Sequence, residues 1–372
     1  MSKKYAAFIT ALFCVFIFGF GAALLISPDR DFSQQENRYL AKFEAPTLST
    51  LKSGEFMKDF EQYVIDQFPL RDGWIQLKAW CERLVGKQEN NGVYLGTDDG
   101  QTLFAQYTKP SAEDLAKRVG YVNQLGANVE VPVYFALIPD KSYVWADRLP
   151  DRAPLVDDGS TIQESMDLTG EDVTDIDLRD AFSGDDVFYR TDHHWSLFGA
   201  FQGYGALTQA MGVETVTPEG EPTRVSDSFY GTTYSSSGAG WVKPDEIYTW
   251  VSEEGITVTA YPKGQPEPGV LYDKSYLEKK DKYSMFLGGN KPLAVLENPQ
   301  AQGGKLLVIR DSYSDSLAPF LAQSWQEVHL FDVRYNLNSV QQYVEENHID
   351  QVLVLFSASN FSTESNLFVM SR

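Results

Sequence analysis

The 372-residue chain has only two cysteines and four histidines, and its 31 Lys and Arg are outnumbered by 52 Asp and Glu. Cys14 lies in an apolar run and Cys81 in a helical pattern, so neither a disulfide framework nor a thiolate metal cluster is expected. A formal net charge of −21 argues against binding nucleic acid or an anionic membrane through a basic patch, because the long-range field repels phosphate. No internal repeat is present. With so few histidines, their placement carries information. His193 and His194 are adjacent, between Asp192 and Trp195, in "YRTDHHW". His329 and His348 fall in an apolar strand pattern and at a helix end.

What is present in quantity is apolar and aromatic: 43% hydrophobic residues and 13% aromatic ones, enough for a packed globular core. The uncharged run from Tyr5 to Ser27 follows Lys3 and Lys4. It is long enough to span a bilayer, which needs about 20 apolar residues, and its basic flank puts the N-terminus in the cytoplasm. "LLISPDR" offers no small-x-small cleavage site, so an uncleaved anchor is expected, with the bulk of the chain outside the cytoplasm.

Residues 28–53 read as a polar arm, followed by helical patterns near 54–66 and 72–85, the second with Asp72 as N-cap. "NNGVYLGTDDGQTLF" reads as a hairpin. "SAEDLAKRVGYVNQLG" opens with Ser111 three residues before Asp114, a capping arrangement, and Leu115, Val119 and Val122 share one helical face. "VPVYFALIP", "KLLVIR", "EVHLF" and "QVLVLF" are continuous apolar runs of strand length, as buried parallel strands require, and helix-length segments separate the last three. An α/β sandwich with a mostly parallel sheet is expected, with an antiparallel β insertion over about 214–298. The expected domains are an anchor over 1–27, a tether with N-terminal helices over 28–100, and an α/β domain over 101–372.

In an extended segment, residues two apart point the same way. Asp192 and His194 would then share a face, while His193 turns away. An Asp fixing the tautomer of a His is what a general base for a nucleophile needs. Ser196 is the expected N-cap of the helix that follows. The nucleophile is sought at a strand's C-terminal end, where ligands bind in open α/β sheets. "KLLVIRDSYSDSLAPFL" supplies that turn, with Ser312 near backbone N–H groups and a helix start that would stabilise an oxyanion. Two other readings stay open. Asp192, His193 and His194 could bind zinc, although no further ligand at recognisable spacing is evident. Exposed Tyr and Trp could instead make a non-catalytic glycan-binding or scaffolding protein.

The motif "YRTDHHW", with "ENRYLAKFEAP", "DQFPLRDGW", "NNGVYLG", "FYGTTYSSSG", "FLGGN", "VIRDSYSDSLAPFL", "DVRYN" and "VLVLFSASNF", resembles the DHHW family of Gram-positive bacteria. That family is similar to the alginate O-acetylation proteins, which carry an SGNH-hydrolase-like domain, a three-layer sandwich. The resemblance implies Asp192 and His194 as acid–base pair and Ser312 as nucleophile. Two departures accompany it: Arg310 replaces the usual glycine before Asp-Ser, and no Gly-x-Asn block supplies the oxyanion-hole asparagine. Asn290 and Asn360 are candidates for that role, and Arg310, Tyr313, His193 and Trp195 for lining the pocket. The resemblance further implies acetyl transfer to, or removal from, a surface polysaccharide, a membrane-bound O-acyltransferase as acetyl source, and no cofactor or metal.

Overall fold

The computed structural model describes residues 3–151, 153 and 158–372; Met1 and Ser2 of the expected cytoplasmic tip lie outside the described residues. The chain divides into two compact units, Met1–Asn91 with Ser235–Gly240, and Gly92–Tyr234 with Trp241–Arg372.

In the first unit, helix α1 (Lys3–Ile26) is 24 residues long and buries none of them, spanning about 36 Å at the α-helical rise. It is long and apolar enough to cross a membrane. Its Phe20 stacks on Phe68 with centroids 5.3 Å apart and meets Trp74 edge-on. Helices α2 (Glu55–Gln67) and α3 (Arg71–Leu84) follow. The expected N-cap at Asp72 is corrected: Leu70 occupies that position, and Asp72 sits in the first turn, paired with Arg30 at 2.9 Å. An acidic residue in the first turn complements the helix dipole without capping it.

The polar arm is fastened to the end of α2. Asp66 accepts both Arg38 guanidinium nitrogens at 2.8 and 2.6 Å, the Ala41 amide at 2.8 Å and Gln62 at 2.9 Å. Arg38 thereby holds the Asp66 carboxyl down at about 2, against burial, which acts upward. Below about pH 4 the unfolded chain binds more protons than the folded one. This stabilisation is therefore full above that pH and is lost as pH falls through about 2. Because Arg38 is partly exposed, Asp66→Asn is expected to cost only about 1–2 kcal/mol at neutral pH. Amide exchange of α2 in the full chain checks this: wild type should lose protection between about pH 4 and about pH 2, and the variant should show it already lost. Identical acid sensitivity in the two proteins would contradict the assignment.

In the second unit an eight-stranded sheet forms the centre. Its strands are β1 (Val133–Ile138), β2 (Val173–Asp177), β3 (Thr257–Ala260), β4 (Glu267–Pro268), β5 (Leu293–Glu297), β6 (Gly303–Arg310), β7 (Trp325–Phe331) and β8 (Gln351–Ser357). The spatial order is β4-β3-β5-β7-β6-β8-β1-β2. From β7 to β2 every pairing is parallel, and from β4 to β7 every pairing is antiparallel. The four expected apolar strands are β1, β6, β7 and β8. Within the insertion, Thr223–Phe229 pairs antiparallel with Asp245–Thr249, while β3, β4 and β5 extend the main sheet.

Strand alternation sends successive side chains to opposite faces. Leu306 and Val308 join one core, with Leu197 and Leu207 of α5 (Leu197–Met211) and Leu317 and Leu321 of α6 (Ser314–Ser324). Leu307 and Ile309 join the other, with Leu115, Val119 and Val122 of α4 (Ala112–Asn128) and Val340 and Val344 of α7 (Val340–Asn347). Helix layers on both sheet faces make the three-layer sandwich. Ser111 caps α4 by accepting from the Asp114 amide, as its sequence position indicates.

Candidate active site

Strand β6 ends at Arg310, the chain turns through Asp311, Ser312 and Tyr313, and α6 begins at Ser314. The expected position of Ser312 is thus a strand–turn–helix corner, but the serine is only 6% exposed, not presented openly. A second corner faces it. Phe188 and Trp195 form an antiparallel bridge, the Tyr189 amide donates to His194 O at 3.2 Å, and the Ser196 amide donates to Val187 O. This tight hairpin carries Asp192, His193 and His194 at its tip, after which Ser196 caps α5 by accepting from the Phe198 and Gly199 amides. A methyl group at Gly199 would lie 2.0 Å from Val187 O, so the helix start can approach the hairpin only without a side chain there.

The two corners meet. His194 Nε2 lies 2.7 Å from Ser312 Oγ, and His194 Nδ1 lies 2.6 Å from Asp192 Oδ1. Asp192 Oδ1 also accepts the His194 amide at 3.0 Å, while Oδ2 accepts the Thr232 amide and hydroxyl at 2.7 and 3.0 Å. Burial acts to raise the Asp192 carboxyl, but the two imidazoles and the His194 hydrogen bonds hold it well below the usual carboxylate range. An ionised Asp192 places the Nδ1 proton of His194 toward itself and leaves Nε2 to accept from Ser312. The His194 ring is fixed in its plane by Tyr283, stacked at 3.9 Å and 9°. The Tyr283 hydroxyl donates to Ser312 O at 3.0 Å, so one phenol orients both partners.

His193 departs from the strand geometry expected of it. Its ring packs 3.9 Å from His194, and its Nδ1 lies 2.6 Å from Thr232 Oγ1 and 3.6 Å from Asp192 Oδ1. The hairpin tip bends instead of running extended, so His193 stays on the Asp192 side; burial keeps this imidazole well below its ordinary range. Ligand atoms of Asp192, His193 and His194 lie within 4.8 Å of one another and could hold a metal ion. The bonds already made to Ser312 and Thr232 and between Asp192 and His194 would have to break first.

The other candidates separate. Asn290 Oδ1 accepts from Arg310 and Arg334, both at 3.0 Å, and belongs to a charge network beneath the turn. Arg310 is fully buried there, 2.8 Å from Asp315. The Asp315 carboxyl is pushed up to about 6 by burial, with the Arg310 charge acting downward. Trp195 donates from Nε1 to Tyr313 O and Ser316 Oγ, both at 3.0 Å, and Tyr313 donates from its hydroxyl to His193 O at 2.5 Å. These two rings therefore brace the corners against each other. Asn360 lies just past β8, where its Nδ2 donates to Asp311 Oδ2 at 2.8 Å. Asp311 Oδ2 also accepts the Ser357 amide and hydroxyl, at 2.8 and 2.9 Å. Among the described residues the Ser312 amide has no acceptor.

Sequence reasoning missed several residues that build this site. Lys141 is buried, and its ammonium donates to the carbonyls of Tyr189, Arg190 and Asp192 at 3.0, 3.1 and 2.6 Å. Asp245 accepts the Arg190 and Thr191 amides and the Thr191 hydroxyl at 3.1, 2.7 and 2.6 Å. Thr232, which holds the Asp192 carboxylate, and Tyr283 complete the set. Thr232 lies inside the quoted "FYGTTYSSSG", though nothing in that motif assigned it a role, and Tyr283 lies three residues before "FLGGN", outside every quoted motif.

Gly231, inside "FYGTTY", makes that hold sterically allowed. A β-carbon there would lie 2.2 Å from both Cβ and Oδ2 of Asp192. Gly231→Ala is expected to push the carboxylate off His194 Nδ1 and lower turnover of a small ester about hundredfold, the effect of an ångström-scale misplacement. Esterase kinetics beside a crystal structure of the variant check it. Full activity with Asp192 unmoved would show that the loop gives way.

The sequence model of the DHHW protein family matches residues 172–331. That of the SGNH hydrolase-like domain of the acetyltransferase AlgX matches residues 99–233. A probable alginate O-acetylase, AlgJ of Azotobacter vinelandii, is 22% identical over 221 residues. The alignment covers 56% of this chain and 56% of that relative, so the chain spans about half the length of the curated relative it matches. Among solved structures, a DHHW family protein from Eubacterium siraeum superposes with a TM-score of 0.64 at 20% identity, covering 76% of this chain and 95% of that one. Bacillus cereus PatB1 with a sulfonyl adduct superposes with a TM-score of 0.62 at 22% identity, covering 75% and 98%. These likenesses show a shared fold. The chain thus has an SGNH-hydrolase-like fold, carries a segment that matches the DHHW family, and is similar to the alginate O-acetylation proteins.

Proposed function

We propose that this protein is a serine acyl-transfer enzyme, anchored by α1 with its bulk outside the cytoplasm of a Gram-positive cell, that acetylates a surface polysaccharide through an acyl-Ser312 intermediate. One observation carries the reading: Ser312 Oγ lies 2.7 Å from a histidine nitrogen whose ring partner is a buried carboxylate. Similarity to a protein named as an alginate O-acetylase supports acetyl as the group moved.

In this reading His194 Nε2 takes the Ser312 proton as Oγ attacks the acetyl carbonyl. The oxyanion that forms is met by the unpartnered Ser312 amide and by the second N–H of Asn360 Nδ2, held in place by Asp311. Two such donors supply the electrostatic stabilisation on which acyl transfer depends. The proton passes from His194 to the departing group of the donor, leaving acetyl-Ser312. A sugar hydroxyl then attacks the ester as its proton passes to His194, and His194 returns that proton to Ser312 Oγ as the Oγ–acyl bond breaks and the acetyl leaves on the sugar. Asp192 stays ionised throughout and stabilises the imidazolium in both halves. A membrane-bound O-acyltransferase is the acetyl source, and anchoring beside it raises the effective concentration of each for the other. Residues 28–100 link the anchor to the catalytic part over 101–372. The test is to quench the protein during turnover of 4-nitrophenyl acetate and map acetylated peptides by mass spectrometry. Acetyl on Ser312 is expected, and turnover with an unmodified Ser312 would refute the acyl-serine step.

A further inference from the structure

Three lysines, Lys279, Lys280 and Lys282, crowd into four residues just before Tyr283. Lys282 donates to Leu277 O, and Lys279 lies over the Tyr276 ring, 3.7 Å from its centroid. Lys280 has a different seat. Its ammonium sits 5.5 Å from the Tyr230 centroid and 5.0 Å from that of Tyr234, and the two rings are 4.4 Å apart. Among the described residues no carboxylate lies within ion-pair distance of Lys280; the acid whose field it feels is Asp192, whose oxygens are already filled by His194 and Thr232. Burial pushes the Lys280 ammonium down to about 8, with Asp192 acting upward, so at neutral pH it is a charge partly stripped of water with only phenol faces to meet it.

Its place in the chain ties it to the site. Tyr230 immediately precedes Gly231, which packs on Asp192. The Tyr234 amide donates to Thr191 O at 2.8 Å, and Tyr283, three residues beyond Lys280, stacks on His194. A cation–aromatic seat offsets desolvation only in part, and an anion arriving at it makes a charge-assisted contact without first breaking an ion pair. In a chain of net charge −21, long-range attraction cannot gather an anionic polymer, so recognition of one needs a local contact of this kind.

We propose that Lys280, on its Tyr230–Tyr234 seat at the edge of the loop that packs on Asp192, binds an anionic group of the acceptor glycan, a carboxylate or phosphate close to the hydroxyl that is acetylated. This rests on the acyl-transfer reading above, and it names the acceptor as an acidic glycan rather than a neutral one.

The test is calorimetric binding to the full chain in detergent micelles at low salt, which needs no turnover. The probes are a galacturonate tetramer, a glycerol-phosphate trimer and neutral cellotetraose. Wild type is expected to bind at least one acidic probe about tenfold or more tighter than cellotetraose. Tighter binding of the galacturonate assigns the seat to carboxylate, and tighter binding of the glycerol phosphate assigns it to phosphate. Lys280→Gln should lose the preference while melting as wild type does, and Lys280→Arg should keep most of it. Equal binding of acidic and neutral probes by wild type, or an undiminished preference in Lys280→Gln, would overturn the inference. If preference and its loss appear in a protein that forms no acetyl-Ser312, the subsite stands and the acyl-transfer reading fails. If acetyl-Ser312 forms without any preference, only the subsite fails.

Discussion

Ser312→Ala is expected to bring acetyl release from 4-nitrophenyl acetate, and acetylation of a glycan acceptor, down to background, a loss on the order of 10⁴–10⁶-fold. The melting temperature should hardly move, because the only partner of the serine hydroxyl among the described residues is His194 Nε2. His194→Ala should do comparable damage, and the double variant little more, since members of such a unit do not contribute additively. Asp192→Asn should cost up to about 10⁴-fold through the wrong imidazole tautomer. His193→Ala should be milder, about tenfold, through loosening of Thr232, which its Nδ1 meets at 2.6 Å. Kinetics beside thermal melting for each variant decide the matter. If Ser312→Ala kept activity while His193→Ala lost it together with a bound metal, a metal mechanism would replace the serine one.

Lys141→Met should damage stability and turnover together, although Lys141 touches no reacting atom in the proposed chemistry. Its ammonium gathers the carbonyls of Tyr189, Arg190 and Asp192 and so sets the path of the hairpin into His194. Removing it leaves the Tyr189 and Asp192 carbonyls buried without that donor, while Arg190 O keeps the Leu103 amide at 2.9 Å. Each orphaned group costs about 1–3 kcal/mol, so a fall of about 5–10 °C in melting temperature is expected at the usual conversion. Turnover of a small ester should drop about hundredfold as the base shifts. Lys141→Arg should not rescue it, since a planar guanidinium cannot converge on three carbonyls as an ammonium does. A variant that melts early yet retains full turnover while folded would reduce Lys141 to a purely structural role.

The parts of the fold legible beforehand were those whose signal is local. β6, β7 and β8 are uninterrupted apolar runs because both faces of a parallel strand are buried, and Ser111 and Ser196 announce helix starts by capping. β2 escaped notice because its "VTDID" runs along the sheet's edge, where Thr174 and Asp177 are exposed. Asp72 misled because its residue type suits both the cap and the first turn, and only the backbone of Leu70 decides between them. At the candidate site, the Asp-x-His spacing and the strand-end serine were visible in short segments. His193 was misdirected because the i, i+2 rule assumes an extended chain, and the hairpin tip bends. Lys141, Thr232 and Tyr283 could not be read because each acts across at least 29 residues of sequence. A lone lysine, threonine or tyrosine carries no mark of the partner that folding will give it.

The candidate base and nucleophile are separated by 118 residues, and this has a consequence for the order of events during synthesis. At about 5–20 residues per second, a ribosome that has just made His194 needs some 6–24 seconds more to reach Ser312. Asp311 beside it is tied down by Ser357 and Asn360, which are made later still. Strand β8 must also slide between β6 and β1, so the middle of the sheet closes only after both corners have been made. A nascent or truncated chain therefore carries an imidazole and a carboxylate but no serine positioned to form an ester. Under the proposed function, competence for chemistry waits for β8 to be made, and a chain cut short before it is expected to be inert.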